Sequence, residues 1–289
     1  MTEAEDILQH LAQEGRRVSD LAVEDLLSSY EKIKKVKDGH NLAAATALAP
    51  APSEHWDDEV VAIIVETRSH RNLPYVVGQA MTKGLRVQIY HGQQNETFLR
   101  SSSILPEIDA GRVYMTPLDT NKLSATLYNG LFLSQEFWRS MKGRQKIFVM
   151  QCDSCFCHAS PYKLPQFLDY DYIGPAWRRR HSGGLISFGG IGGFTLRSWR
   201  KSVAALEQFD PKFWPAGEDR YFAFHIELLG GRVARPDESD RFCAQHGWSK
   251  GSFGAHKLNG LSVMELLRFL AYSPESWRIL GRIEARRRG

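Results

Sequence analysis

The sequence predicts an α/β protein in which a largely parallel central sheet is flanked by helices and preceded by a helical extension. Three observations carry that prediction. Val60-Val-Ala-Ile-Ile-Val65 is a continuous apolar, β-branched run, as expected for a strand buried on both faces of a parallel sheet. It leads through Pro74–Met81, read as a crossover helix, into a second strand at Leu85–Tyr90, which makes a β-α-β start. Ile147–Met150 is another short buried strand, and apolar burial must end at the polar Gln151-Cys-Asp-Ser154 that follows.

The elements follow in order. Residues 3–13 and 18–37 carry helical periodicity, with Ile7, Leu8 and Leu11 on one stripe and Leu21, Val23, Leu26, Leu27, Tyr30 and Ile33 on another. They read as a hairpin that packs on the main domain or serves as an oligomer or partner arm. The Ala- and Pro-rich stretch up to Ser53 reads as a linker, so residues 1–54 form one unit, 55–260 the main domain and 261–289 a C-terminal helical and basic tail. Asp119–Met141 reads as one helix carrying Asn129, and Phe167–Trp177 as a short aromatic strand running into a turn. Six of the 24 glycines fall in the eleven positions 183–193, which indicates close backbone approach to a ligand, or bulges. Glu218 and Asp219 stand at a helix start, where the macrodipole favours carboxylates.

Composition narrows the function. The 289 residues, 43% hydrophobic and 24% charged, suit a globular protein. A net charge of +4 accommodates an anionic ligand and is too weak to argue for nucleic acid. No apolar run is long enough to span a membrane, and the acidic start, Met1-Thr-Glu-Ala-Glu-Asp6, does not read as a signal peptide, so the expected location is cytoplasmic. Cys152, Cys155 and Cys157 crowd one loop, with Cys243 distant. The spacing is poor for structural zinc, and reduced cysteines packed beneath a ligand loop account for it. No Gly-x-Gly-x-x-Gly follows the first strand and no Walker-type Gly-Lys-Ser/Thr occurs, which removes dinucleotide and P-loop readings.

What remains points to the carboxyl edge of the sheet, where open α/β folds bind ligands. Asp153 lies there, either as a ligand for a hard cation carrying phosphate oxygens or as a turn cap. Glu66-Thr-Arg68 leaves the first strand at the same edge. Arg178-Arg-Arg-His181 is either a diphosphate cradle or a solvated basic loop.

Taken together, Gln151-x-Asp153-Ser154, Asp171-Tyr-Ile-Gly-x-x-Trp177, Gly192-Gly-Phe-x-Leu-Arg197, Glu218-Asp219 and Gly254-Ala-His256-Lys257 resemble the blocks of GT-A nucleotide-sugar glycosyltransferases. The pattern is similar to a sparsely characterised family assigned as bacterial glycosyltransferases and, more distantly, to animal β-galactosyltransferases. The resemblance covers about residues 60–258. It implies a Rossmann-like, mixed central sheet and hexosyl transfer from a nucleoside diphosphate sugar, UDP-linked, to a hydroxyl of a glycan or lipid-linked acceptor in polysaccharide biosynthesis.

The resemblance also implies site roles. Glu66, Thr67, Arg68, Asn129, Asp153, Ser154, Gly192 and Gly193 would hold the donor, and Trp214 and Trp177 the acceptor. Asp153 and His256 would ligate Mn²⁺ or Mg²⁺. Asp219 would be the general base of an inverting reaction, with Glu218 binding the acceptor or serving as the alternate base. The sequence departs from the family at Gln151, which replaces the first acid of Asp-x-Asp and leaves one fewer charged ligand; Arg178, Arg179 or Lys257 are candidates to share the neutralisation. Two other classes fit a fold of this kind: a sugar-binding protein without turnover, and a nucleotidyltransferase. In the tail, an apolar helix over Leu261–Leu270 followed by Arg278, Arg282, Arg286, Arg287 and Arg288 reads as a core-packed helix with a solvated end, or as peripheral contact with anionic lipid.

Overall fold

The computed structural model describes residues 52–177, 188–211, 214 and 217–280. The N-terminal hairpin and most of the Ala/Pro linker, the Arg178–His181 cluster and the basic end beyond residue 280 lie outside the described residues.

Four parallel strands form the heart of the main sheet: β1 (Val60–Val65), β2 (Arg86–His91), β3 (Val113–Pro117) and β4 (Lys146–Met150). β7 (Phe194–Ser198), antiparallel to β4, and β6 (Tyr172–Ile173), antiparallel to β7, complete it in the order β3-β2-β1-β4-β7-β6. The central sheet is therefore mixed and flanked by helices, as expected. A second sheet, β5-β9-β8, joins β5 (Ser154–Phe156), β8 (Cys243–Ala244) and β9 (Gly254–His256).

Burial follows the period of two that strand geometry imposes. Along β1, Val61, Ile63 and Val65 enter one apolar cluster while Val60, Ala62 and Ile64 enter another. The first cluster receives α4 (Ala125–Phe132), α5 (Gln135–Arg139), α6 (Trp199–Gln208) and α7 (Glu218–Leu228), with Trp138, Phe132 and Phe222 among its largest side chains. The second receives α1 (Leu73–Met81) and an aromatic group that includes Phe148, Phe156, Phe194, Phe242 and Phe253. Of the remaining helices, α2 (Gln93–Arg100) and α8 (Pro236–Phe242) send Leu99 and Phe242 into the second cluster, α3 (Leu105–Asp109) packs Ile108 against it, and α9 (Val263–Tyr272) contributes Phe269 to a third, smaller cluster.

Two predicted elements differ. Asp119–Met141 is not one helix: Ser124 caps α4 by accepting from the Leu127 amide at 3.1 Å, and Ser134 caps α5 by accepting from the Phe137 amide at 3.3 Å. The Trp138 indole then donates to the Phe132 carbonyl at 2.7 Å, satisfying a group that the break leaves without its helical partner. Within Phe167–Trp177 only Tyr172 and Ile173 are strand, because a 3₁₀ turn occupies Leu164–Phe167 and edge pairing is limited to two residues.

Candidate functional site

Parallel β1 and β4 end at one edge, and antiparallel β7 begins there. Register sets this: Ile64 pairs with Met150, and Met150 with Phe194. Glu66–Arg68, Gln151–Asp153 and Gly192–Gly193 therefore meet without long connections. A cavity of about 520 Å³ opens at this edge, lined by Glu66, Thr67, Arg68, His70, Asn121, Lys122, Tyr128, Gln151, Asp153 and Lys257 among others.

The loop after β1 is held rigidly. Asn95 of α2 donates to the Glu66 and Arg68 carbonyls at 2.8 and 3.1 Å, and Thr67 donates to the Asn121 carbonyl at 3.3 Å. The Glu66 carboxylate is engaged by Arg68, accepting from Nε and Nη2 at 2.8 Å each and from the Arg68 amide at 2.9 Å. Burial opposes ionisation of Glu66, yet these bonds hold its carboxyl below the usual range. Glu66 thus serves to aim Arg68, whose side chain is 72% exposed.

Beneath the cavity, buried His256 from β9 faces Asp153. Its Nδ1 lies 2.6 Å from Gln245 Oε1, and in the tautomer that donates to Gln245 the ring proton is on Nδ1. Burial pulls the imidazole below its ordinary pKa despite the neighbouring Asp153, which favours the neutral ring. In that tautomer Nε2 presents a lone pair toward Asp153 Oδ1 and Gln151 Oε1, each 3.2 Å away. Three acceptors face one another. That donor set, one carboxylate, one amide oxygen and one imidazole nitrogen, fits a divalent cation. Among the described residues no cluster of three His, Cys, Asp or Glu side chains could hold a metal, so Gln151 would have to supply the third ligand. Lys257 Nζ is 3.9 Å from Asp153 Oδ2, and Lys257 sits at φ 57°, a left-handed conformation uncommon for a residue with a side chain.

The acid pair opens α7. Asn129 accepts from the Glu218 amide at 3.1 Å, satisfying one of the free helix N–H groups. Glu218 is buried against Arg197, whose Nη2 donates to Oε1 at 3.1 Å; the guanidinium is fully buried and lies over the rings of Phe132, Tyr172 and Phe222. Asp219 points elsewhere. Its Oδ2 accepts from the Gly192 amide at 3.1 Å and its Oδ1 from the Arg220 amide at 2.8 Å, and burial raises its carboxyl above the usual value.

Gly192 and Gly193 lie between these groups. A Cβ on Gly192 would overlap the Glu218 carboxylate, and one on Gly193 would overlap His256 Nε2 and crowd Gln151 Oε1. The close approach inferred from the glycine run is thus made by the protein's own carboxylate and imidazole.

Trp214, Trp177, Ser154 and Asn129, four of the expected residues, lie outside the cavity lining. Trp214 is only 7% exposed: it packs on Tyr221, Phe224 and His225 and donates to the Gly217 carbonyl, so its ring offers little face to an acceptor. Trp177 carries Arg220 over its ring at 4.8 Å and donates to the Phe188 carbonyl. Ser154 is buried and its hydroxyl closes the turn on the Gln151 carbonyl at 2.7 Å, away from the cavity lining. Asn129 supports α7 instead of lining the cavity, while its neighbour Tyr128 does line it. Tyr128, Asn95, Gln245 and Lys122 were absent from the sequence-based assignment. All four cysteines are free and buried; only Cys152 reaches the cavity wall.

A family model described as "Protein of unknown function (DUF5672)" matches residues 113–256, from β3 through β9. No curated protein matches the chain. Among solved structures the chain is similar to the mannosyltransferase PcManGT from Pyrobaculum calidifontis in complex with GDP-Man and Mn²⁺, at 13% identity and a TM-score of 0.37, over 81% of this chain and 67% of that chain.

Proposed function

We propose that the protein is a glycosyltransferase that moves a hexosyl group from a nucleoside diphosphate sugar, UDP-linked, to a hydroxyl of a glycan or lipid-linked acceptor. The observation that carries this reading is the convergence, at one sheet edge, of a cavity lined by Arg68, Lys122 and Lys257 with the Asp153–Gln151–His256 acceptor cluster, and with Asp219 held on the Gly192 amide next to Gly193, which abuts that cluster. The cations suit a diphosphate. Asp153, His256 and Gln151 would hold Mn²⁺ or Mg²⁺, which supplies charge neutralisation to the leaving diphosphate when bound.

Asp219 is the base in this scheme. A sugar hydroxyl is a poor nucleophile near neutrality, and a carboxylate within hydrogen-bond reach can take its proton as the new bond forms. The acceptor oxygen bonds to the anomeric carbon, the bond from that carbon to the diphosphate breaks with its electron pair on the leaving group, and the proton passes to Asp219. Attack opposite the leaving group inverts the configuration. The raised Asp219 carboxyl makes it a stronger base than an exposed aspartate. Glu218, locked to Arg197, is removed from this role and instead holds α7 in place.

Isothermal calorimetry with UDP, GDP and their hexose conjugates, with and without Mn²⁺, tests the reading. Binding of a nucleoside diphosphate at micromolar to submillimolar concentration is expected, tightened by Mn²⁺. No heat from any member at millimolar concentration would remove the proposal.

A further inference from the structure

Tyr128 has a role in the site that neither the sequence blocks nor the cation cluster assigns. It projects from α4 into the cavity wall, one residue before the Asn129 that caps α7. Its hydroxyl oxygen is buried and has no partner at good hydrogen-bonding geometry, the Gln151 side chain being the polar group close by. A buried polar group left unpaired costs free energy, and such atoms are rare unless something else satisfies them. Most surrounding groups are already engaged: Asn129 with the Glu218 amide, Glu218 with Arg197, Asp219 with the Gly192 and Arg220 amides, while Gln151 Oε1 stands 3.2 Å from His256 Nε2.

Which part of a ligand would meet this hydroxyl follows from the charges around it. Burial, with Glu218 and Asp219 adding to it, keeps the phenol neutral, so it is an uncharged donor and acceptor. The anionic diphosphate is drawn to the Arg68, Lys122 and Lys257 side of the cavity, whereas the charges near Tyr128 are the Glu218–Arg197 pair and Asp219, two carboxylates against one guanidinium. A phosphate oxygen is disfavoured there, and a neutral hydroxyl that can both give and accept a hydrogen bond is favoured.

Resting on the glycosyltransferase reading, we propose that the Tyr128 hydroxyl binds a hydroxyl of the transferred sugar and so orients the anomeric carbon between the leaving diphosphate and Asp219. Tyr128 then discriminates among donor sugars by the position of that hydroxyl. A site built to hydrogen-bond a substrate hydroxyl rejects analogues that lack it, because its own buried group is left unpaired.

Tyr128→Phe is the test, since it removes one oxygen and keeps the ring that packs on Phe132. Three quantities are compared with wild type: the thermal midpoint, the calorimetric affinity for UDP, and the affinity for those UDP-hexoses that wild type binds. The expected result is an unchanged or higher midpoint, unchanged UDP affinity, and UDP-hexose affinity weakened roughly 3- to 10-fold, the worth of one hydrogen bond. Equal weakening of UDP and UDP-hexose would place the hydroxyl on the diphosphate and overturn the sugar assignment. Unchanged affinity for both, or a lowered midpoint marking a purely internal role, would overturn it as well. If wild type binds no nucleotide, the parent reading falls; if wild type binds and only the comparison fails, the Tyr128 assignment alone falls.

Discussion

Glu218→Gln separates the two acids at the start of α7 by what each leaves behind. Arg197 is fully buried and Glu218 is 2% exposed, so the pair lies in the core beneath Phe132, Tyr172 and Phe222. Replacing the carboxylate by an amide keeps shape and one acceptor but leaves the guanidinium without its counter-charge. Breaking a buried pair from one side costs about 3–5 kcal/mol, far above the cost at an exposed site. For a domain of this size that corresponds to a fall of roughly 6–20 °C in thermal midpoint. Differential scanning fluorimetry and urea titration both read it, and the doubly substituted Arg197→Met/Glu218→Leu chain should recover most of the loss, because it removes both charges together. A shift under about 1 °C in the single variant would refute the structural role and return Glu218 to the candidates for the base.

The other expectations concern charge and surface. Asp219→Asn should lower kcat by roughly 10²- to 10⁴-fold in a transfer assay with little change in donor affinity, and near-normal turnover would remove it as the base. Asp153→Asn should abolish Mn²⁺-linked thermal stabilisation, and Gln245→Leu should weaken it roughly 10-fold or more by releasing the His256 tautomer; full stabilisation in both would reject the cation site. His225, buried among Phe209, Trp214, Tyr221 and Phe224, has its pKa pushed down to about 3 by burial. Its folded value lies below the unfolded 6.5, so its contribution is complete above about pH 6.5 and is lost as pH falls toward 3, at about 1.4 kcal/mol per unit; His225→Phe should flatten that slope in urea titrations. No helix among the described residues is long and apolar enough to cross a membrane, but Val263, Met264 and Leu267 on α9 are 74, 60 and 53% exposed. Residues 261–289 hold six arginines against three glutamates, and we propose contact with anionic lipid there. Leu267→Glu should reduce co-sedimentation with phosphatidylglycerol vesicles, and equal recovery of both chains would exclude it.

What the sequence made legible was what depends on pattern alone. The unbroken β-branched run of β1 and the abrupt polar stop after β4 marked two buried strands ending at one edge, and the structure pairs them as neighbours. The acids at the head of α7 were legible as a helix start for the same kind of reason. Side-chain direction was not. Asn129 and Tyr128 are adjacent, yet one turns to the Glu218 amide and the other to the cavity, a difference of about 100° that periodicity over so short a helix does not resolve. Trp214 looked like a stacking platform because Trp beside paired acids suits a sugar, but its indole packs inward on α7. Gln245 and Gln151 carry no charge and form no motif; only the fold brings their amide oxygens to His256.

The glycine run shows how the two halves of the candidate site depend on each other. Gln151 donates its amide to the Gly193 carbonyl at 2.9 Å, and Gly192 donates its amide to Asp219, so one dipeptide spans from the Asp153 cluster to the acid at α7. The dipeptide is also squeezed from both sides, by His256 at Gly193 and by Glu218 at Gly192. Neither neighbour can yield freely. His256 is held by Gln245, and Glu218 is held by Arg197. Any side chain at these two positions must therefore displace either the imidazole facing Asp153 or the ion pair that seats Asp219. Absence of a side chain here lets the Asp153–Gln151–His256 acceptor cluster and the Asp219 carboxylate reach adjacent peptide units. On the proposed reading, that closeness would help to hold a base and a leaving group in a reactive alignment.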